Sequence, residues 1–81
     1  MSFAQKIKSS SGNLVYLVRG QDKGRDAWHY VQVKDKITLA IFLKEINGGG
    51  GDISLYGDIL YSGWGKNPPD DIIKKVQENY S

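Results

Sequence analysis

The sequence predicts an α+β fold in which an antiparallel β-hairpin, extended to three strands in one alternative, packs against two or three short helices. Three observations support this prediction. Two runs rich in β-branched and aromatic residues flank a polar, glycine-containing segment. A run with helical spacing follows and ends at four consecutive glycines. A second amphipathic run comes after two adjacent prolines.

The two predicted strands cover residues 14–18 and 27–33, where Val, Leu, Tyr and Trp suit a pleated surface. Residues 20–26 between them are polar and hold two glycines, which predicts an exposed hairpin loop. Residues 3–8 are too short to be assigned by periodicity, and they supply the optional third strand.

The most regular pattern lies at residues 36–46, where apolar side chains recur at helical spacing. Asp35 precedes this run, and its carboxylate can accept hydrogen bonds from the first free N–H groups of a helix. We expect the helix to stop at Asn47 and Gly48, because a glycine past the last turn adopts the left-handed conformation without strain. The run Gly48–Gly51 is interpreted as a flexible linker, with a mobile loop that closes on a partner as the alternative.

Residues 52–63 fit two structures. A short helix capped by Asp52 is favoured, and its apolar face would consist of Ile53, Tyr56, Ile59 and Leu60. The alternative is a hairpin that turns at residues 56–58.

The last element is predicted as a helix over residues 69–80. Pro69 suits the first turn, and Asp70 and Asp71 complement the helix dipole there. We expect this helix to pack beside the helix at 36–46.

Composition excludes several classes of protein. The 81 residues, of which 40% are hydrophobic and 25% charged, suit one small globular domain covering residues 1–81. There is no cysteine and one histidine, which excludes disulfides, thiolate chemistry and Cys- or His-rich metal sites. No apolar run is long enough for a membrane span, and residues 1–6 lack a secretory signal. We therefore expect a cytoplasmic protein with no membrane partner.

No motif assembles a catalytic or cofactor site. Gly65-Lys66 is followed by Asn67, and position 60 is Leu, so the phosphate-binding loop pattern fails twice. His29 would share a strand face with Ala27 and Val31, and a structural or surface role is favoured over a pH-sensitive contact or catalysis. The expectation is a protein that is not an enzyme and binds no cofactor or metal.

Charge is distributed unevenly. Residues 1–44 hold eight basic and three acidic side chains (+5), and residues 45–81 hold three basic and six acidic ones (−3). This asymmetry supports an alternative function, weak binding of RNA or single-stranded DNA through the basic hairpin. The residues assigned to it are Lys23, Arg25, Trp28 and Tyr30. Nucleic acid is the less favoured partner, because a net charge of +2 is small for such a domain.

Trp64 stands between two glycines and shortly before two prolines. A position in the core is favoured for so large a side chain, with an exposed interface anchor as the alternative. If Trp64 is exposed, the candidate partner-binding residues are Trp64, Tyr61, Tyr56 and Lys66.

The function predicted from these features is that of a small, non-enzymatic, cytoplasmic protein-interaction or accessory domain of bacterial or viral origin. Its partner would be another protein or a second copy of the chain, as in a homodimer. The strands at the edges of a small sheet carry unpaired backbone groups, and these provide pairing sites for another chain.

Overall fold

A computed structural model of the chain describes residues 3–7, 14–48 and 53–80. These residues form one antiparallel sheet and two α-helices, which confirms the α+β prediction and its optional N-terminal strand. The elements are β1 Phe3–Lys6, β2 Val15–Asp22, β3 Arg25–Val33, α1 Lys36–Asn47, a 3₁₀ turn at Ile53–Leu55, β4 Gly57–Trp64 and α2 Asp70–Tyr80. The strands are ordered β1-β2-β3-β4, so each pairs with its neighbours along the chain.

The β2–β3 hairpin is longer than predicted. Its turn consists of only Lys23 and Gly24, whose φ angles of 54° and 78° are the positive values of a two-residue type I′ turn. Asp22 and Arg25 pair directly on either side. The other polar residues of the expected loop therefore belong to the strands.

Helix α1 begins as its sequence predicts. The Thr38 amide donates to Asp35 Oδ1 at 2.7 Å, so Asp35 is the N-cap. This hydrogen bond holds the pKa of Asp35 below its usual value. The helix ends at Asn47, and Gly48 follows with a right-handed φ of −79° in place of the expected left-handed one. The remaining glycines of the predicted linker lie outside the described residues.

The sheet has a hydrophobic core on each side, because alternate side chains of a strand point to opposite faces. On the α1 face, Phe42 and Ile46 of α1 pack with Tyr16, Val31 and other strand residues. On the α2 face, Val76 of α2 packs against Val15, Leu17, Trp28 and Tyr30. The expectation that the two helices lie side by side is therefore wrong, since the sheet separates them.

The favoured helix at residues 52–63 is also wrong. Apart from the 3₁₀ turn, this segment is β4, and the Asp52 cap lies outside the described residues. Tyr30 pairs with Tyr61, whereas the next residue, Val31, pairs with Ile59, so Leu60 is an extra residue in a β-bulge. The bulge turns both Leu60 and Tyr61 towards the α2 face, where they pack against the core.

Candidate functional site

The outer edge of β4 is an unpaired strand edge of eight residues. β3 pairs with β4 on one side, and no described strand pairs with β4 on the other. Such an edge presents backbone N–H and C=O groups to any extended segment that approaches it.

The hydrogen bonds to β3 determine which residues of β4 face outward. The Gly65 amide donates to the Asp26 carbonyl at 2.8 Å. In an antiparallel ladder, hydrogen-bonded and non-hydrogen-bonded pairs alternate, so Gly63 bonds to β3, whereas Ser62 and Trp64 do not. The backbone groups of Ser62 and Trp64 therefore point outward. By the same alternation below the bulge, those of Ile59 point outward as well.

The side chains of these three outward-facing residues lie on the α1 face. Ile59 is opposite Val31, Ser62 opposite His29, and Trp64 opposite Ala27. Ile59 and Trp64 are 45% and 51% exposed, although both are large apolar side chains. The favoured prediction that Trp64 fills the core is therefore wrong, and the geometry agrees with the alternative, an exposed position.

Trp64 lies beside a group of cations. The Arg25 guanidinium stands 4.4 Å from the centre of the Trp64 ring, within the range of a cation–π contact. Lys23 in the hairpin turn and Lys66 beyond β4 are exposed at the same end of the sheet. We call Lys23, Arg25 and Lys66 the cationic corner. Asp22 and Asp26 lie near it on β2 and β3, so they balance part of its charge.

A shallow cleft of about 210 Å³ opens on the α1 face beside Trp64. Its lining residues are Asp22, Ala27, His29, Ser62, Gly63 and Trp64.

His29 shares its face with Ala27 and Val31, as predicted. Within the described part of the chain, no hydrogen bond joins His29 to Ser62 or Asp22. His29 pairs with Val18, four positions along β2 from Asp22, which is about 13 Å along the strand. The three side chains therefore do not form a catalytic relay.

A second cleft, of about 410 Å³, lies where the chain leaves β4. Arg19 Nε donates to the Lys66 carbonyl and to Asn67 Oδ1, each at 3.2 Å, and its Nη1 donates to Gln5 Oε1 at 2.7 Å. These bonds hold the segment after β4 across the sheet, towards β2. The connection to α2 therefore turns away from the outer edge of β4.

The four predicted partner-binding residues do not form one patch. Trp64 contacts Arg25 at the end of β4, and Lys66 follows two residues later, where its carbonyl accepts a hydrogen bond from Arg19. Tyr61 is half-buried against the α2-face core. Tyr56 is half-buried on the other side of the sheet, where its ring meets Phe42 edge to face at 6.1 Å.

The residues of the nucleic-acid alternative are also divided. Lys23 and Arg25 are exposed, but Trp28 and Tyr30 are 4% and 2% exposed beneath α2. Burial raises the pKa of Tyr30, although the charge of Arg19 opposes that shift. Neither ring offers a free face to a base, so the assignment of Trp28 and Tyr30 to nucleic-acid binding is wrong.

Two features of the edge were missed. The sequence pattern predicts Ile59 on the face of a helix, and it predicts Arg25 as a nucleic-acid contact with no indication that Arg25 meets Trp64. The signal for Ile59 was its two-residue spacing from Gly57, which a strand also satisfies. Nothing in the local sequence indicated the Arg25–Trp64 pair, because the two residues meet only through the β3–β4 register.

Comparison with known proteins yields no match to a family model, a curated protein or a solved structure. Across residues 3–7, 14–48 and 53–80, no group of three or more His, Cys, Asp or Glu side chains could hold a metal ion. In the same residues, no helix is long and apolar enough to cross a membrane.

Proposed function

We propose that the chain is a small, non-enzymatic protein-interaction domain of the cytoplasm that binds an extended strand of another polypeptide at the outer edge of β4. The observation that carries this proposal is the combination of outward backbone groups at Ser62 and Trp64 with the exposed indole of Trp64. Backbone pairing supplies affinity in strand addition, and neighbouring side chains supply selectivity.

The Trp64 side chain is the anchor in this proposal. Tryptophan is enriched among the residues that contribute most to interface affinity. Its contact with Arg25 favours one position of the ring beside the edge, so less conformational entropy is lost when a strand covers it. Ser62 adds outward backbone groups and no bulk.

The test is a selection of random extended peptides on the immobilised domain, followed by NMR titration of the selected peptides. We expect the largest shifts at the amides of Ile59, Ser62 and Trp64. Trp64→Ala should lower affinity by about tenfold or more, the range of an interface anchor. Ser62→Pro should abolish binding, because it removes an outward N–H that β3 does not use.

Ile37→Ala is the matched control, since Ile37 is an apolar side chain of α1 that is 79% exposed and belongs to no strand. It should leave binding unchanged, and circular dichroism should show all three variants folded. Peptides that shift other surfaces, or that bind Trp64→Ala as well as the wild type, would contradict the proposal.

The runner-up function is weak binding of single-stranded nucleic acid by Lys23 and Arg25. Titration with labelled oligouridine and oligothymidine at low and moderate salt tests it. Binding that falls steeply with salt and is lost in Lys23→Gln/Arg25→Gln would establish this function, because phosphate contacts release counterions.

A further inference from the structure

We propose that the strand which pairs with β4 is β4 of a second copy, so that the chain forms a symmetric dimer with one continuous sheet. This inference rests on the proposed function, in which the edge is a pairing site. It adds the identity of the occupant and the register of the two strands.

The bulge selects the register. A dimer with a two-fold axis perpendicular to the sheet keeps each face on the same side, so paired residues must come from the same face. Ile59 and Ser62 both face α1 and have outward backbone groups, whereas Leu60 and Tyr61 between them both face α2. Placing Ile59 opposite Ser62 of the second copy, and Leu60 opposite its Tyr61, satisfies this condition throughout the bulge.

The same register places Trp64 opposite Gly57 of the second copy. Gly57 has no side chain to obstruct the indole, and the ring lies on the same face as Ile59. Ile59 of one copy and Trp64 of the other therefore become neighbours across the new strand pair. A one-residue slip would place Ile59 opposite Tyr61 and mismatch the faces.

Charge favours the antiparallel pairing as well. In the antiparallel pair, the cationic corner at the end of β4 in one copy lies far from that of the other copy. The two corners stand about 24 Å apart along the strands, well beyond the screening length of about 8 Å at physiological ionic strength.

Disulfide trapping tests the register, and the absence of native cysteine makes it specific. The single variants Ile59→Cys and Ser62→Cys are mixed and oxidised. Because a hydrogen-bonded antiparallel pair has Cα atoms about 5.5 Å apart, which suits a disulfide, we expect a crosslink between the two variants. Each variant alone, and a mixture of Ile37→Cys with Ser62→Cys, should crosslink much more slowly.

Sedimentation velocity over a range of protein concentrations tests the dimer itself. The wild type should reach twice the monomer mass, and Ser62→Pro should remain monomeric. A wild type that stays monomeric would overturn the dimer. So would a mixture of Ile59→Cys and Ser62→Cys that crosslinks no faster than the controls. The peptide titration is read separately: peptides that bind β4 of a monomeric chain would sustain the proposed function and reject only the second copy as occupant.

Discussion

Gly63 shows how one residue connects the edge to the core. A Cβ added at Gly63 would lie 2.6 Å from Cζ2 and 2.9 Å from Cε2 of Trp28, whose indole is buried. The indole is enclosed so tightly that its Nε1 has no hydrogen-bond partner within the described residues. Glycine at position 63 therefore lets β4 pass directly over a large core side chain.

We predict that Gly63→Ala destabilises the fold by about 1–3 kcal/mol, the usual cost of overpacking a core. The measurement is the free energy of unfolding in urea. Ser62→Ala is the matched control, since Ser62 is an exposed neighbour on the other face, and it should stay close to the wild type. Equal stability of the two variants would show that Trp28 can move freely.

Asp35 gives a prediction about pH. Its folded-state pKa is lowered chiefly by the hydrogen bonds from Thr38. The stabilising effect of Asp35 is therefore complete above the unfolded-state pKa of about 3.9, and it is lost as the pH falls through the folded-state pKa. Asn caps a helix comparably but does not titrate. Urea unfolding from neutral to acidic pH should show the wild type losing stability relative to Asp35→Asn only in the acid range, and Asp35→Ala less stable than both at neutral pH. Parallel curves for the wild type and Asp35→Asn would contradict this role.

At the scale of elements, α1 was predictable because its signals are local. Asp35, the apolar spacing and the terminal glycines all act within one segment, and the helix forms where they indicate. The hairpin strands were equally predictable, but their polar ends were not. A type I′ turn of two residues lets charged residues stay paired in the strands up to the turn itself.

β4 was missed for a physical reason. Its bulge turns Leu60 and Tyr61 to one face, which breaks the two-residue alternation and leaves a spacing that also fits a helix. The position of α2 was missed because nothing in its own sequence distinguishes one side of the sheet from the other. The exposure of Trp64 likewise depends on where the chain runs after Gly65, which Arg19 determines from β2.

At the scale of the whole molecule, both faces of the sheet carry a helix, and no strand in the described part of the chain pairs with the outer edge of β4. If a second copy occupies this edge, self-association must stabilise the fold by mass action, since only the folded chain pairs. The melting temperature of the wild type should then rise with protein concentration, whereas that of Ser62→Pro should not. Differential scanning calorimetry over a wide concentration range makes this comparison, and a wild-type melting temperature independent of concentration would count against the dimer.

The order of the strands also has a kinetic consequence. Every described strand pairs with the next strand along the chain, so assembly of the sheet needs no strand to insert between two already paired ones. The β2–β3 hairpin closes over two residues, which makes its loop entropy small. Chains dominated by such local pairing fold faster than those of equal size with crossing connections. Helix α1 lies between β3 and β4 and separates them widely along the chain. The pairing of β4 with β3, which forms the outer edge, is therefore the slowest step in the assembly of the sheet.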